Sequence, residues 1–221
     1  MNVGIHNSKG KYIVMLDDDM LSLSSTWLDE LVEVAKSDKT IAMVGFATPN
    51  LNSSSERLGH VETNKIFVKY KPVDIPKKLI KTLPRVVEVD NIQLGLIKRE
   101  VFRKFGMFDQ KYFIYWSEID LCYKTKKAGY KIVANTRAKI LHYGSSTMNK
   151  TSYMKSYYWH RGKIRFILKN LSILKKTTTL PITLLQFLSE IINYTIRGNF
   201  NISWSIAASI FWNIKNIRDY I

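Results

Sequence analysis

A short apolar run, Tyr12-Ile13-Val14-Met15-Leu16, passes straight into three aspartates, Asp17, Asp18 and Asp19. Aromatic and β-branched residues between a glycine and a polar stretch predict a buried strand. Three like charges at its end repel one another and do nothing for a fold's stability. One reading is an acidic, solvated turn in which an aspartate caps the next element. The other follows from position, because open α/β sheets bind ligands at the carboxyl ends of their strands. Clustered carboxylate oxygens there suit a hard divalent cation, which can also hold phosphates. On that reading the run asks for a metal and a phosphorylated ligand, and other segments must complete the site.

Strand-like and helix-like segments alternate through the first ~145 residues, the pattern of an α/β fold. "STWLDELVEVAKS" predicts a helix capped by Ser25 or Thr26, with Trp27, Leu28, Leu31, Val32 and Ala35 at helical spacing. "IAMVGFA" (41–47) reads as a second buried strand, "LNSSSERLG" as a polar loop, "KIFVKYK" as an alternating strand and "DIPKKLIKTLP" as a connection. "VVEVDNIQLGLIK" is strand-like, and "REVFRKFG" is a short helix ending on Gly106. A helix from Ser117 to Lys127, closed by Gly129, precedes the strands "KIVANTR" and "KILHYGSS". Beyond residue 150 the texture becomes basic, aromatic and then apolar, with one helix opened by Pro181. Polar residues interrupt every apolar run there, which disfavours a spanning helix and leaves interfacial or packed helices.

Composition narrows the function classes. A hydrophobic content of 46% is ample for a packed core and excludes global disorder. The single cysteine, Cys122, excludes an internal disulfide framework and fits a reducing compartment. The opening "MNVGIHNSKGKY" carries no apolar signal-peptide core. A net charge of +16 points to a polyanion: nucleic acid, an anionic membrane surface or phosphorylated substrates. Residues 151–221 hold ten Lys and Arg against Glu190 and Asp219, or +8, half of that excess.

"YWSEIDLCYKTKKAGY" is the second acidic cluster. Ser117 and Asp120 have capping-box spacing, and Glu118 and Asp120 in a first helical turn favour the macrodipole without any chemistry. Alternatively, one of these carboxylates, held at a helix start in a concave site, acts as general base. Tyr112, Phe113, Tyr115 and Trp116 form either an aromatic wall on which sugar rings stack or part of the core. His142, at a strand end, is either a hydrogen-bonded structural residue or an added metal ligand.

The ordered set of pieces resembles the family 2 glycosyltransferases, closest in flavour to the rhamnosyltransferase-like members. Those pieces are Asn2-Val3-Gly4, Lys9-Gly10-Lys11-Tyr12-Ile13, Asp17-Asp18-Asp19, Arg99-Glu100-Val101-Phe102 with Gly106-Met107-Phe108-Asp109, Glu118-Ile119-Asp120-Leu121-Cys122, and His142-Tyr143-Gly144. The resemblance implies a GT-A fold (α/β, Rossmann-like, a mixed sheet with flanking helices) and an inverting displacement on a nucleotide-sugar donor. It implies a divalent cofactor, Mn²⁺ or Mg²⁺, with Asp17, Asp19 and His142 as ligands. Asn2, Gly4, Lys9, Asp17, Asp18 and Asp19 fall on the donor side, and Asp109, Tyr115 and Trp116 on the acceptor side. Glu118 stands where the family places its base, most often an Asp, and Asp120 is the alternative; Ser117 replaces a residue that is usually acidic.

Such domains normally open with ~70–80 residues that bind the nucleotide, ahead of the Asn-x-Gly run. The expectation is therefore a partial catalytic domain over 1–150 and a basic, aromatic helical region over 151–221. The acceptor would be a saccharide or a lipid-linked one, in envelope polysaccharide or glycolipid synthesis. The basic tail suggests a cytoplasmic protein, peripheral at the inner face of the cell membrane, bound to anionic lipid at low salt and partly released at high salt; packing on the catalytic domain or a homodimer seam is the competing use. Two other classes stand beside the enzyme: a non-catalytic remnant of the same fold, and a basic nucleic-acid-binding protein. No zinc-ligand set or RNA-binding signature supports the last, and acidic clusters repel phosphates.

Overall fold

The computed structural model describes residues 1–51, 53–64, 68–143 and 152–220. They form two compact units. The first comprises Met1–Glu62, Tyr70–Phe108 and the chain from Glu118 through the last strand. The second comprises Thr63–Lys69, Asp109–Ser117 and the C-terminal helices.

The first unit holds a mixed sheet with helices against it. Its elements are α1 (Asn2–Asn7), β1 (Tyr12–Met15), β2 (Met20–Ser22), α2 (Trp27–Ser37), β3 (Ile41–Pro49), β4 (Ser55–Asn64), β5 (Lys69–Pro76), α3 (Lys77–Ile80), β6 (Val86–Glu88), β7 (Gly95–Lys98), α4 (Arg99–Phe105), α5 (Ser117–Lys127) and β8 (Lys131–His142). The path β1-β7-β3-β4-β5 is joined by β8, which pairs with β2, β3 and β6. β3 and β8 run parallel, whereas β1/β7, β3/β7, β3/β4, β2/β8 and β6/β8 are antiparallel. It follows that β1, β3 and β8 point the same way and end at one edge of the sheet.

β3 is central, and Ile41–Ala47 is buried without interruption, as a strand covered on both faces requires. α2 lays Leu31, Val34 and Ala35, an i, i+3, i+4 set, into the same core. Full burial of a side chain such as Leu31 contributes roughly 1.5–3 kcal/mol. α5 is held through Cys122, whose thiol lies 3.7 Å from Met43 Sδ, and burial pushes that thiol up to about 12. β7 starts on Gly95, which has φ of 147° and backs onto β3 so closely that a Cβ would meet the Val44 carbonyl at 2.4 Å.

The helices at 27–37, 99–105 and 117–127 and the strands at 12–15 and 41–49 match the expectation from sequence. Several segments do not. The polar stretch expected as a loop becomes β4 from Ser55, because β3 supplies its ladder (Thr48↔Arg57) and Lys139 binds the buried Glu56 at 2.7 Å. "VVEVDNIQLGLIK" is two strands, β6 and β7, broken at Val89–Leu94. The expected strand at 65–71 lies partly outside the described residues, and β5 instead runs Lys69–Pro76 into the short α3. α1 carries no strong sequence signal.

The second unit is built from α6 (Ser152–Asn170), α7 (Ile173–Ile196) and α8 (Phe200–Lys215) around Ile164, Phe187 and Ile206. Pro181 does not open α7 but lies inside it. It leaves the Thr177 carbonyl without its helical donor, a loss of backbone bonding that packing must offset. Asp109–Ser117 joins this unit although the sequence reading placed it in the catalytic part. Asp109 accepts hydrogen bonds from Arg165 (2.7 Å) and Lys169 (2.6 Å), and Arg161 donates to the carbonyls of Lys111 and Tyr112 (2.8 Å each). Gly162 lets Trp116 against α6, since a Cβ there would stand 2.5 Å from Trp116 Cδ1.

Candidate active site

β1 carries Ile13 and Met15 into the core and releases the chain at the edge where β3 and β8 also end. The turn Asp17–Asp19 follows, closed by the Met20 amide donating to the Asp17 carbonyl at 3.3 Å. β2 then pairs with the end of β8, Met20 opposite His142, and the Tyr143 amide donates to the Asp19 carbonyl at 3.1 Å. This ladder fixes the aspartate turn against the histidine. The result is a cluster of Asp17, Asp19 and His142, with one ligand atom of each within 4.8 Å of the others.

The electrostatics of the cluster suit a cation. Asp17 reaches solvent, yet partial desolvation raises its carboxyl above the ordinary value; His142 opposes this, and Asp19 and Asp18 add to it. His142 Nε2 is 3.1 Å from Asp19 Oδ1. The contact is an ion pair only when His142 is protonated, and Oδ1, shielded from water, accepts no hydrogen bond among the described residues. A shielded carboxylate oxygen left without a donor costs free energy that a cation would offset. Two hard oxygen donors and an imidazole are a donor set that Mn²⁺ or Mg²⁺ accepts. The three residues thus fit a divalent metal.

Glu118 is half-buried in the first turn of α5. One turn on, Cys122 lies against Met43 Sδ and the Ile92 carbonyl, which fixes α5 on the core. Asp120 is buried and bonded to Lys124 Nζ at 2.6 Å within the same helix, which ties it to helix structure. Asp18 is exposed, and Gly4 lies on the open surface of α1.

Other candidates lie elsewhere. Asn2 exchanges both amide groups with the Phe108 backbone, donating at 2.7 Å and accepting at 3.2 Å, and so anchors α1. Lys9 stands at the opposite end of β1 from Asp17, separated by a strand that rises ~3.3 Å per residue. There it lines a basic cleft of about 410 Å³ with Lys11, Lys98, Arg99, Glu100 and Arg103. Trp116, expected on the acceptor side, is a core residue packed on Trp159 and Phe166, and only Tyr115 remains half-open. Asp109 is occupied by Arg165 and Lys169. Burial pushes its carboxyl up, but those hydrogen bonds and the Lys111 amide prevail and bring it down to about 2. Gly144, the last piece of the histidine motif, lies outside the described residues.

Two features gave no sequence signal. Asp19 Oδ1 is left without a hydrogen bond, which only the fold reveals. The segment before Glu118 is strained: Phe113, Tyr115 and Trp116 all have φ near +60° although none is Gly or Asn. Phe113 (φ 66°, ψ −64°) is the centre of a γ-turn, with Ile114 N–H donating to Tyr112 O at 2.8 Å. A similar bond, Ser117 N–H to Tyr115 O at 2.7 Å, closes around Trp116. Such outliers cost on the order of 1–3 kcal/mol each and cluster at working sites.

Comparison with known proteins agrees with the fold. The chain is similar to the O-antigen biosynthesis protein RfbC of Myxococcus xanthus, 23% identical over 164 residues, which are 72% of this chain and 13% of that protein. It is also similar to the crystal structure of GalNAc-T7 with UDP, GalNAc and Mn²⁺, with a TM-score of 0.50 and 18% identity over 90% of this chain and 43% of that one. The chain thus spans less than half the length of either protein. No protein-family model matches it. The architecture is the GT-A fold, as the resemblance to family 2 glycosyltransferases implies.

Proposed function

We propose that this chain serves transfer of a sugar from a nucleotide-sugar donor to a hydroxyl of a saccharide or lipid-linked acceptor, with inversion at the anomeric carbon. The setting we propose is envelope polysaccharide or glycolipid synthesis at the cytoplasmic face of an anionic membrane. The observation that supports this most is the Asp17–Asp19–His142 cluster at the carboxyl edge of a GT-A sheet, with Asp19 Oδ1 shielded and lacking a hydrogen bond. Asp17, Asp19 and His142 would hold Mn²⁺ or Mg²⁺, which when bound stabilises the charge of the leaving nucleoside diphosphate.

The remaining work falls to the chain's own groups. Glu118 accepts the proton of the acceptor hydroxyl as it attacks the anomeric carbon. Asp120, bonded to Lys124, holds the first turn of α5 and with it the position of Glu118. Asp18 adds negative charge to the turn without entering the ligand set.

The test is thermal denaturation of the full chain with Mn²⁺ and each of UDP, GDP and dTDP. Saturation near a hundred times Kd stabilises by about 2.7 kcal/mol, a rise of roughly 5–10 °C for a protein of this size. Asp19→Ala abolishes the rise and Asp18→Ala retains it. Equal losses at Asp17, Asp18 and Asp19 would return the turn to a solvated acidic loop.

A further inference from the structure

α7 and α8 bury small polar residues beside the Ile164–Phe187–Ile206 core and leave a row of large apolar residues exposed. Along α7 the buried positions include Thr179 and Thr183, with Phe187 the one large apolar group among them. The opposite row (Leu174, Leu185, Leu188, Ile192 and Ile196) is exposed, Leu185 to 66%. α8 repeats the inversion. Ser203, Ser205, Ser209 and Asn213 are buried beside Ile206, whereas Phe200, Trp204, Phe211 and Ile214 face outward, Trp204 to 74%. The buried polar groups bond across the helices: Ser203 Oγ donates to the Ile191 carbonyl at 3.1 Å and accepts from the exposed Thr195 hydroxyl at 3.0 Å, and Asn213 Nδ2 donates to the Arg161 carbonyl at 3.2 Å.

A helix packed for water does the reverse. Small polar residues between helices, with large apolar ones turned outward, are the packing of helices surrounded by hydrocarbon. Charge placement agrees. Between Lys176 and Lys215 the only charged residues are Glu190 and Arg197. Glu190 is bonded to His160 at 2.9 Å, and Arg197 lies at the turn between the helices. Lys175 and Lys176 at the start of α7, Arg197 at its end and Lys215 at the end of α8 are cationic, as anionic headgroups require, while Arg218 and Asp219 beyond α8 offset each other. No described helix is long and apolar enough to cross a membrane, so the pair lies along the bilayer. Trp204 also walls a mainly apolar cleft of about 460 Å³ with Tyr153, Met154 and Tyr157.

We infer that the outward rows of α7 and α8 form a lipid-facing surface inserted into the acyl region of an anionic bilayer, held by apolar contact and not by charge alone. A second copy of the chain is the less suitable occupant. Protein interfaces carry about one hydrogen bond per 100–200 Å², and these rows offer mainly Leu, Ile, Phe and Trp, with Thr178 an exposed hydroxyl between Leu174 and Leu185. The inference deepens the membrane part of the proposed function and is independent of the transfer chemistry.

The experiment is vesicle flotation of the full chain with phosphatidylglycerol/phosphatidylethanolamine liposomes at 0.1 M and 1 M NaCl, with tryptophan fluorescence against lipids brominated in the acyl chain. Insertion predicts flotation that survives 1 M salt, and bromine quenching that falls when Trp204→Phe removes the outward indole. Leu185→Asp with Ile192→Asp, both at exposed positions, lowers partitioning at least tenfold while circular dichroism stays native. Flotation lost at 1 M salt without quenching overturns insertion and leaves surface attraction. No flotation together with a concentration-dependent dimer that Leu185→Asp dissolves assigns the face to a second copy and overturns it as well. Failure of the Mn²⁺ and nucleotide test with flotation intact would remove the transferase reading alone.

Discussion

Asp109→Ala removes the carboxylate that ties residues 109–117 to α6. Arg165 donates to it through Nε (3.1 Å) and Nη2 (2.7 Å), Lys169 at 2.6 Å, and the Lys111 amide at 2.9 Å. The Arg165 side chain is 6% exposed and, among the described residues, pairs with no second carboxylate; the rings of Tyr112 and Tyr220 lie about it. Deleting one partner of a buried pair leaves the other charge uncompensated and costs roughly 3–5 kcal/mol. The Lys169 bond is more exposed and adds less than about 1 kcal/mol. We take roughly 3 kcal/mol as the expected loss, which lowers Tm by about 6–12 °C at this chain length. The pH dependence has a definite sign. The folded carboxyl is depressed to about 2 from an ordinary 3.8, so its stabilisation is complete above pH 4 and is lost as pH falls through 2. Thermal unfolding followed by circular dichroism reads both effects. Asp109→Ala paired with Arg165→Met recovers most of the loss, because the stranded guanidinium goes with it. A loss below 1 kcal/mol, or no recovery in the double variant, would refute the reasoning.

Three further outcomes follow from the same structure. Glu118→Gln keeps the shape of α5 but cannot accept a proton, so turnover in a sugar-transfer assay falls by roughly 10²–10⁴-fold with donor affinity unchanged; a larger effect from Asp120→Asn would move the base to that residue. Asp17→Asn raises the metal-free Tm slightly at pH 7, since a carboxyl held above its ordinary value by desolvation is destabilising once ionised, and the gain vanishes below pH 4. Gly162→Ala drives a methyl group to 2.5 Å from Trp116 and destabilises by about 1–3 kcal/mol, read by urea unfolding and by a change in tryptophan emission.

The parts legible in the sequence were those set by local pattern. The apolar run into Asp17–Asp19 announced both a buried strand and the cluster at its end, and helical spacing in 27–37 and 117–127 gave α2 and α5. His142 was readable as a strand-end histidine, but its pairing with Asp19 depends on the β2/β8 register, a long-range match. Tertiary partners decided the misread segments: β4 is a strand because β3 and Lys139 receive it, and Asp109 is a structural anion because Arg165 and Lys169 lie one helical turn apart on α6. Lys9 falls on the donor side through the family resemblance alone. An extended strand carries it to the far end of the sheet.

The most direct test of the central claim is pulsed electron paramagnetic resonance on Mn²⁺ bound to the full chain. One Mn²⁺ with a ¹⁴N coupling from a single imidazole is the expected result. His142→Gln removes the coupling while Mn²⁺ stays bound more weakly, and Asp19→Ala eliminates the bound ion. A bound Mn²⁺ without nitrogen coupling, or one that survives Asp19→Ala unchanged, would show that Asp17, Asp19 and His142 are not the metal site.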